Sequence, residues 1–128
     1  MDRSKVQVLR DIHKLNLRGA EWVKAESGHR LVAGKETVRS KYRAAAIANY
    51  LKWFGLLDYR GPRTGEFRVN EEGVAFLRGE ISVPAYIKCR GGRVLRRSKK
   101  RVFLHEVKGV ILSKKYWDTY SDHGQSYD

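Results

Sequence analysis

The residues with the clearest chemical capacity in this chain are basic and clustered. Residues 88–101, KCRGGRVLRRSKKR, contain Lys88, Arg90, Arg93, Arg96, Arg97, Lys99, Lys100 and Arg101 and no acidic residue. Like charges at this density repel one another unless an anion neutralises them. The whole chain has 27 Lys and Arg against 14 Asp and Glu, a net +13, and without this one segment the excess falls to +5. Residues 62–87, by contrast, hold three basic and four acidic residues. The charge is placed, not diffuse, and it predicts attraction to a polyanion, with nucleic acid first among the partners. Glycine with Arg and Lys and few aromatics points to phosphate tracking over base stacking, which favours duplex DNA over RNA or single strands.

A second set of candidates lies in TVRSKYRAAAIANYLKWFGLLDYR, residues 37–60, around which the chain is organised. The pattern predicts a helix that stops at Gly55 and turns directly into a strand. On a 3.6-residue period Ala44, Ile47, Tyr50, Leu51 and Phe54 share one side, continued by Ser40. Lys41, Tyr42, Ala45, Asn49 and Lys52 fall on or near the other. With Arg39, that second face has the composition of a helix laid into a DNA groove: Asn49 can bond an adenine edge, and alanine lets the backbone approach. Gly55 supplies a left-handed residue to close the helix, and Leu56 can pack back on its last turn. The plainer alternative for each basic residue is a solvated charge on the surface of a basic protein.

These residues must be positioned by the elements around them. Residues 4–15 predict a first helix with Val8, Leu9, Ile12 and Leu15 inward. Lys5, Arg10, Asp11 and Lys14 take its solvent side, Asp2 or Ser4 caps it, and His13 is a surface or partly buried residue with no chemical role. Residues 16–36 are broken by Gly19, Gly28 and Gly34. Trp22 and Val23 anchor a brief strand or helical turn into the core there, and a further short helix is expected before residue 42. Leu56–Arg60 reads as a strand, Gly61–Gly65 as a turn with Arg63 at its tip, and Glu66–Val69 as the returning strand. Helix, strand, basic glycine-rich turn, strand is the order of a winged helix, with the turn as the wing. Asn70 caps a short helix over Glu71–Leu77, ended by Gly79. Beyond it, Ile81–Ile87 is extended, with Pro84 at an edge or a strand start. Gly91-Gly92 turns a hairpin into Arg93–Arg96, and residues 98–101 form a basic bend. Val102–Leu104 resume as a third strand. The end of the chain predicts a short helix around Tyr116 and Trp117, then a frayed tail over residues 121–128.

Leu51, Trp53 and Gly55-Leu56-Leu57 are followed by GEFRVNEEGVAFLRG over residues 65–79, by Ile81–Ile87 with Val83-Pro84, and by a Gly-Arg-Val-Leu hairpin. In this order the chain, from Tyr50 to about Trp117, resembles a group of uncharacterised winged-helix proteins, mostly of phages and prophages. The resemblance implies a fold and a phage setting; it implies no catalytic residues. The charge concentrated in residues 88–101 departs from the group.

The expected architecture is a single α+β domain over residues 1–120, a winged helix-turn-helix with an additional C-terminal basic β-hairpin region. Residues 1–80 supply the helical core and wing, and residues 81–112 the β-rich basic extension. Met1 is followed by Asp-Arg-Ser-Lys instead of a leader, and no apolar run approaches membrane-spanning length. The one cysteine, Cys89, allows no intrachain disulfide. A cytoplasmic protein follows, in the host cell if phage-encoded, with no membrane partner. The four histidines, His13, His29, His105 and His123, form no metal spacing. His105-Glu106 with Asp118 makes only a weak metal cluster, and Cys89 among cations is more readily packing than a nucleophile. No phosphate loop or nucleophile elbow is present, so no enzyme, metal or cofactor is expected. The expected function is duplex DNA binding, with transcriptional regulation as its use. The alternative is a phage-encoded interaction module that inhibits or redirects a host protein or nucleoprotein complex. The aromatic end, Tyr116, Trp117 and Tyr120, is either a dimerisation surface or a lid on the core.

Overall fold

A computed structural model describes residues 1–24, 38–61 and 63–110, and for residues 38–43 the helical backbone alone. Within these the chain is mixed α+β, with three α-helices and small antiparallel sheets. The expected short helix before residue 42, the one around Tyr116 and Trp117, and the aromatic end lie outside the described residues.

Helix α1 spans Arg3–Leu17. Of its two candidate caps Asp2 serves: one carboxylate oxygen accepts the Lys5 N–H at 2.9 Å and the other pairs with Lys5 Nζ at 2.9 Å. Val6, Val8, Leu9 and Ile12 are buried as their spacing requires. Arg10 and Asp11 do not lie on the solvent side assigned to them, however. Both are buried, at 5% and 1% exposure, and so is His13. A helix has a solvent face only where nothing packs on it, and α1 is in contact with both other helices and with the first and third strands. The first helix, not the second, is the centre of the molecule.

The second helix, α2, spans Val38–Trp53. Its buried stripe is Ala44, Ala48 and Leu51, with Ile47 and Phe54 half-buried at the flanks. The expected stripe therefore holds at Ala44 and Leu51, and at Ile47 and Phe54 on its flanks, but is rotated: Tyr50 is exposed at 37%, and Ala48, assigned to neither face, is inside. Small side chains at positions 44 and 48 let the helix axis approach its neighbours, and Tyr50 is left at the rim. At the C-terminus Gly55 adopts φ 83° and the Leu56 N–H reaches back to the Leu51 carbonyl at 3.1 Å. Leu56 is buried, so the predicted stop is formed as read.

Strands β1 (Val23–Lys24), β2 (Leu57–Tyr59) and β3 (Glu66–Val69) form one antiparallel sheet in the order β1-β3-β2. Val23, Leu57 and Phe67 are its buried face, and Tyr59 stacks on Phe67 at 4.7 Å. Asn16 at the end of α1 ties this sheet down: its Oδ1 accepts the Val69 N–H at 3.0 Å and its Nδ2 donates to the Ala20 carbonyl at 2.7 Å. Helix α3 spans Glu71–Leu77, with the Asn70 side chain accepting the Gly73 N–H at 2.9 Å and donating to the Gly55 carbonyl at 2.9 Å. One residue thus starts α3 and closes α2.

Beyond Gly79 the chain forms two small two-stranded sheets. Strand β4 (Val83–Pro84) pairs with β7 (Arg101–Val102), and β5 (Ile87–Arg90) pairs with β6 (Arg93–Arg97). The third strand expected at Val102–Leu104 is shorter and starts earlier, because Leu104–Glu106 winds into a 3-10 turn and the Glu106 carboxylate takes the Phe103 N–H at 2.9 Å. Val83, Leu104 and Val107 join the same hydrophobic cluster as α1, α2 and the sheet. The Met1 ammonium also donates to the Ala85 carbonyl. The basic hairpin is thereby rooted in the main core.

Candidate nucleic-acid interface

The β5–β6 hairpin is built by its turn. Gly91 and Gly92 take φ 57° and 76°, the pair of left-handed residues that a two-residue turn needs to match the twist of its strands. Register then decides which side chains meet. Lys88 lies opposite Arg96, and Arg90 opposite Arg93. Directly opposed residues share a face, and so do positions 88 and 90 on one strand, so these four cations occupy a single face. Like charges directly opposed across two strands are destabilising. Ile87, Cys89, Val94 and Arg97 belong to the other face, where Ile87 is buried.

The base of this ribbon is fastened by Ser98, a residue that the basic composition around it conceals. It is buried; its hydroxyl accepts the Tyr86 N–H at 3.1 Å and donates to the Lys100 carbonyl at 2.8 Å. Its own N–H reaches the Tyr86 carbonyl at 3.0 Å. From that base Lys88, Arg90, Arg93, Arg96, Arg97, Lys99 and Lys100 project as exposed residues. Among the described residues no carboxylate pairs with any of them. Arg101 differs: its guanidinium donates to the Ser82 hydroxyl at 2.9 Å and the Ser82 carbonyl at 2.7 Å, so it braces β7.

The carboxylates find their partners elsewhere. Arg68 pairs with Glu21 at 2.9 Å and with Asp58 at 3.2 Å, and Arg60 lies 3.6 Å from Glu66. Both arginines also stand over the Trp22 ring, at 4.5 and 5.6 Å from its centroid. Trp22, expected to point into the core, is instead a half-buried platform on the outer face of the three-stranded sheet. Arg63 is exposed on the turn between β2 and β3, whose shape is fixed by the Thr64 and Gly65 N–H groups bonding the Gly61 carbonyl, both at 3.2 Å.

Helix α2 presents its candidate residues unevenly along its length. Arg39, Lys41 and Tyr42 are in its first turns, and their side chains lie outside the described residues. Asn49 is half-buried. Lys52 is turned aside, its Nζ 4.6 Å above the Tyr59 ring and 5.6 Å from the Trp53 ring. The side of the helix away from the core carries Ala46, Asn49, Tyr50 and Trp53, the last two in an edge-on contact at 5.2 Å. The exposed Tyr50 could have been found from the sequence by centring the helix on its alanines. Of the weak metal cluster, His105 stacks on Phe103 at 5.8 Å, Glu106 is held by its turn, and Asp118 lies outside the described residues.

No protein-family model, curated protein or solved structure matches this chain. Function must therefore be argued from the geometry.

Proposed function

We propose that this protein binds duplex DNA, with the β5–β6 ribbon as its principal phosphate-binding surface. The observation that carries the reading is the ribbon's register, which stacks Lys88 on Arg96 and Arg90 on Arg93 with no carboxylate of the described residues against them. A fold tolerates such a face at a cost in stability; against a polyanion the same cations become a source of binding energy, because they displace the counterions condensed on it. A winged helix-turn-helix architecture is supported by the order helix, strand, helix, strand, turn, strand and by the sheet order β1-β3-β2. In it Arg63 marks the wing tip and α2 the reading helix, with Arg39, Lys41, Tyr42 and Asn49 as its base-facing residues. Lys52, held over aromatic rings, serves the scaffold. Transcriptional regulation is the use proposed for such duplex binding.

The test is a salt series of binding to an unrelated duplex, comparing the native protein with a variant in which Lys88, Arg90, Arg93 and Arg96 are all changed to Gln. Each lost phosphate contact lowers the slope of log K against log salt by about 0.9, so a fall of roughly 2–4 is expected. Absence of binding at low salt would refute the DNA reading. A second reading, docking on a host protein, is favoured by one observation, the exposed Tyr50 beside Trp53 on α2. It predicts capture of a protein partner that Tyr50→Ser abolishes while DNA binding persists.

A further inference from the structure

The β5–β6 ribbon carries one side chain that phosphate binding leaves unexplained. Leu95 is 59% exposed, more than any other large apolar residue among those described. It is also the residue that the register skips: Cys89 pairs with Val94 and Lys88 with Arg96, so Leu95 is the extra residue of a β-bulge. A bulge bends its strand, tightens the local twist and re-aims a side chain. Here it leaves leucine exposed on a strand whose other exposed residues, Arg93, Arg96 and Arg97, are all cations, where neither solubility nor the core gains from it.

We propose that Leu95 is a groove-reading residue that contacts thymine methyl groups in the major groove of duplex DNA. The proposal rests on the duplex-DNA reading above. The major groove, about 12 Å wide, admits a two-stranded ribbon into an undistorted duplex, whereas the minor groove, about 6 Å wide, takes one only when the duplex is bent and opened. With the ribbon in that groove, Lys88, Arg90, Arg93 and Arg96 reach the phosphates along its walls. An apolar side chain among them is directed at the base edges, because the walls offer it only charged oxygen and water. The apolar group that base edges present in the major groove is the C5 methyl of thymine.

The experiment uses two duplexes of one A·T-rich sequence, one with thymine and the other with uracil at every thymine position. They differ only in the methyl groups. Affinities are measured by fluorescence anisotropy at one low salt concentration for the full chain and for Leu95→Ser, whose folding is checked by its thermal melt. The native chain is expected to bind the uracil duplex about fourfold more weakly for each methyl contacted. Leu95→Ser is expected to bind both duplexes alike, with the native dependence on salt. Equal native affinity for the two duplexes overturns the role of Leu95 and leaves the duplex reading standing, as does a thymine preference that survives in Leu95→Ser. Failure to bind either duplex overturns both.

Discussion

Asp11 and His13 lie two positions apart on α1, and burial moves their titrations in opposite directions. Desolvation raises the Asp11 carboxyl from 3.8 to about 7, against a hydrogen bond from Gln7 at 2.9 Å and the nearby Lys14 and Arg10. Desolvation also lowers the His13 imidazole from 6.5 to about 4, helped by the Arg78 charge. Between these values the folded chain holds a proton on Asp11 that the unfolded chain has released, so this group costs stability as pH rises from about 4 to 7. His13 does the reverse: the unfolded chain takes up a proton that the folded chain resists, and stability is lost as pH falls from 6.5 to about 4. Across the shared window the two oppose. Urea midpoints measured over it should be flatter for the native chain than for either variant, rising with pH in Asp11→Asn and falling in His13→Gln. Parallel profiles for all three would contradict this. Ser98→Ala is expected to cost about 0.5–1.5 kcal/mol in urea denaturation, because it removes the hydroxyl that accepts the part-buried Tyr86 N–H. Neither role was legible in the sequence. Arg10, Asp11 and His13 carry the residue types of a solvent face, and only the elements packed on α1 show that these three positions are buried. Ser98 is hidden in a basic run that says nothing of hydrogen bonds.

At the scale of elements, local chemistry was readable and long-range pairing was not. The Gly55 stop, the Asn70 cap, the strand at Glu66–Val69 and the Gly91-Gly92 turn all follow from rules spanning a few residues, and each is present as expected. The pairing of β4 with β7 joins segments with the whole hairpin between them, which no local pattern encodes. Gly73 shows how packing can invert a propensity rule. Gly→Ala inside a helix ordinarily stabilises, yet a Cβ at position 73 would lie 2.4 Å from the Leu56 carbonyl oxygen and 2.6 Å from a Val69 methyl. Gly73→Ala is therefore expected to destabilise by about 1–3 kcal/mol in chemical denaturation. The ribbon offers the opposite exchange. Lys88→Glu would place an acid across from Arg96 and is expected to raise stability by a few tenths of a kcal/mol while lowering duplex affinity several-fold. A variant that gained in both would count against the ribbon as a phosphate surface.

For the molecule as a whole, the acids and bases are sorted. Glu21, Asp58 and Glu66 neutralise arginines on the three-stranded sheet, whereas the hairpin rooted by Ser98 and Val83 keeps its cations for an external anion. The sequence displayed the cluster of charge but not this partition, which depends on which carboxylates fold beside which guanidinium groups. Because a ligand that binds only the folded state stabilises it, a short duplex should raise the melting temperature in low salt, and the rise should vanish as salt is added. The contact itself is most directly mapped by amide chemical-shift changes as an unrelated duplex is titrated into the isotope-labelled protein. The ribbon reading predicts the largest changes at residues 88–97, with smaller ones at Arg63 and little at the Trp22 platform. Changes confined to α2 or to the outer face of the three-stranded sheet, with residues 88–97 unmoved, would contradict it.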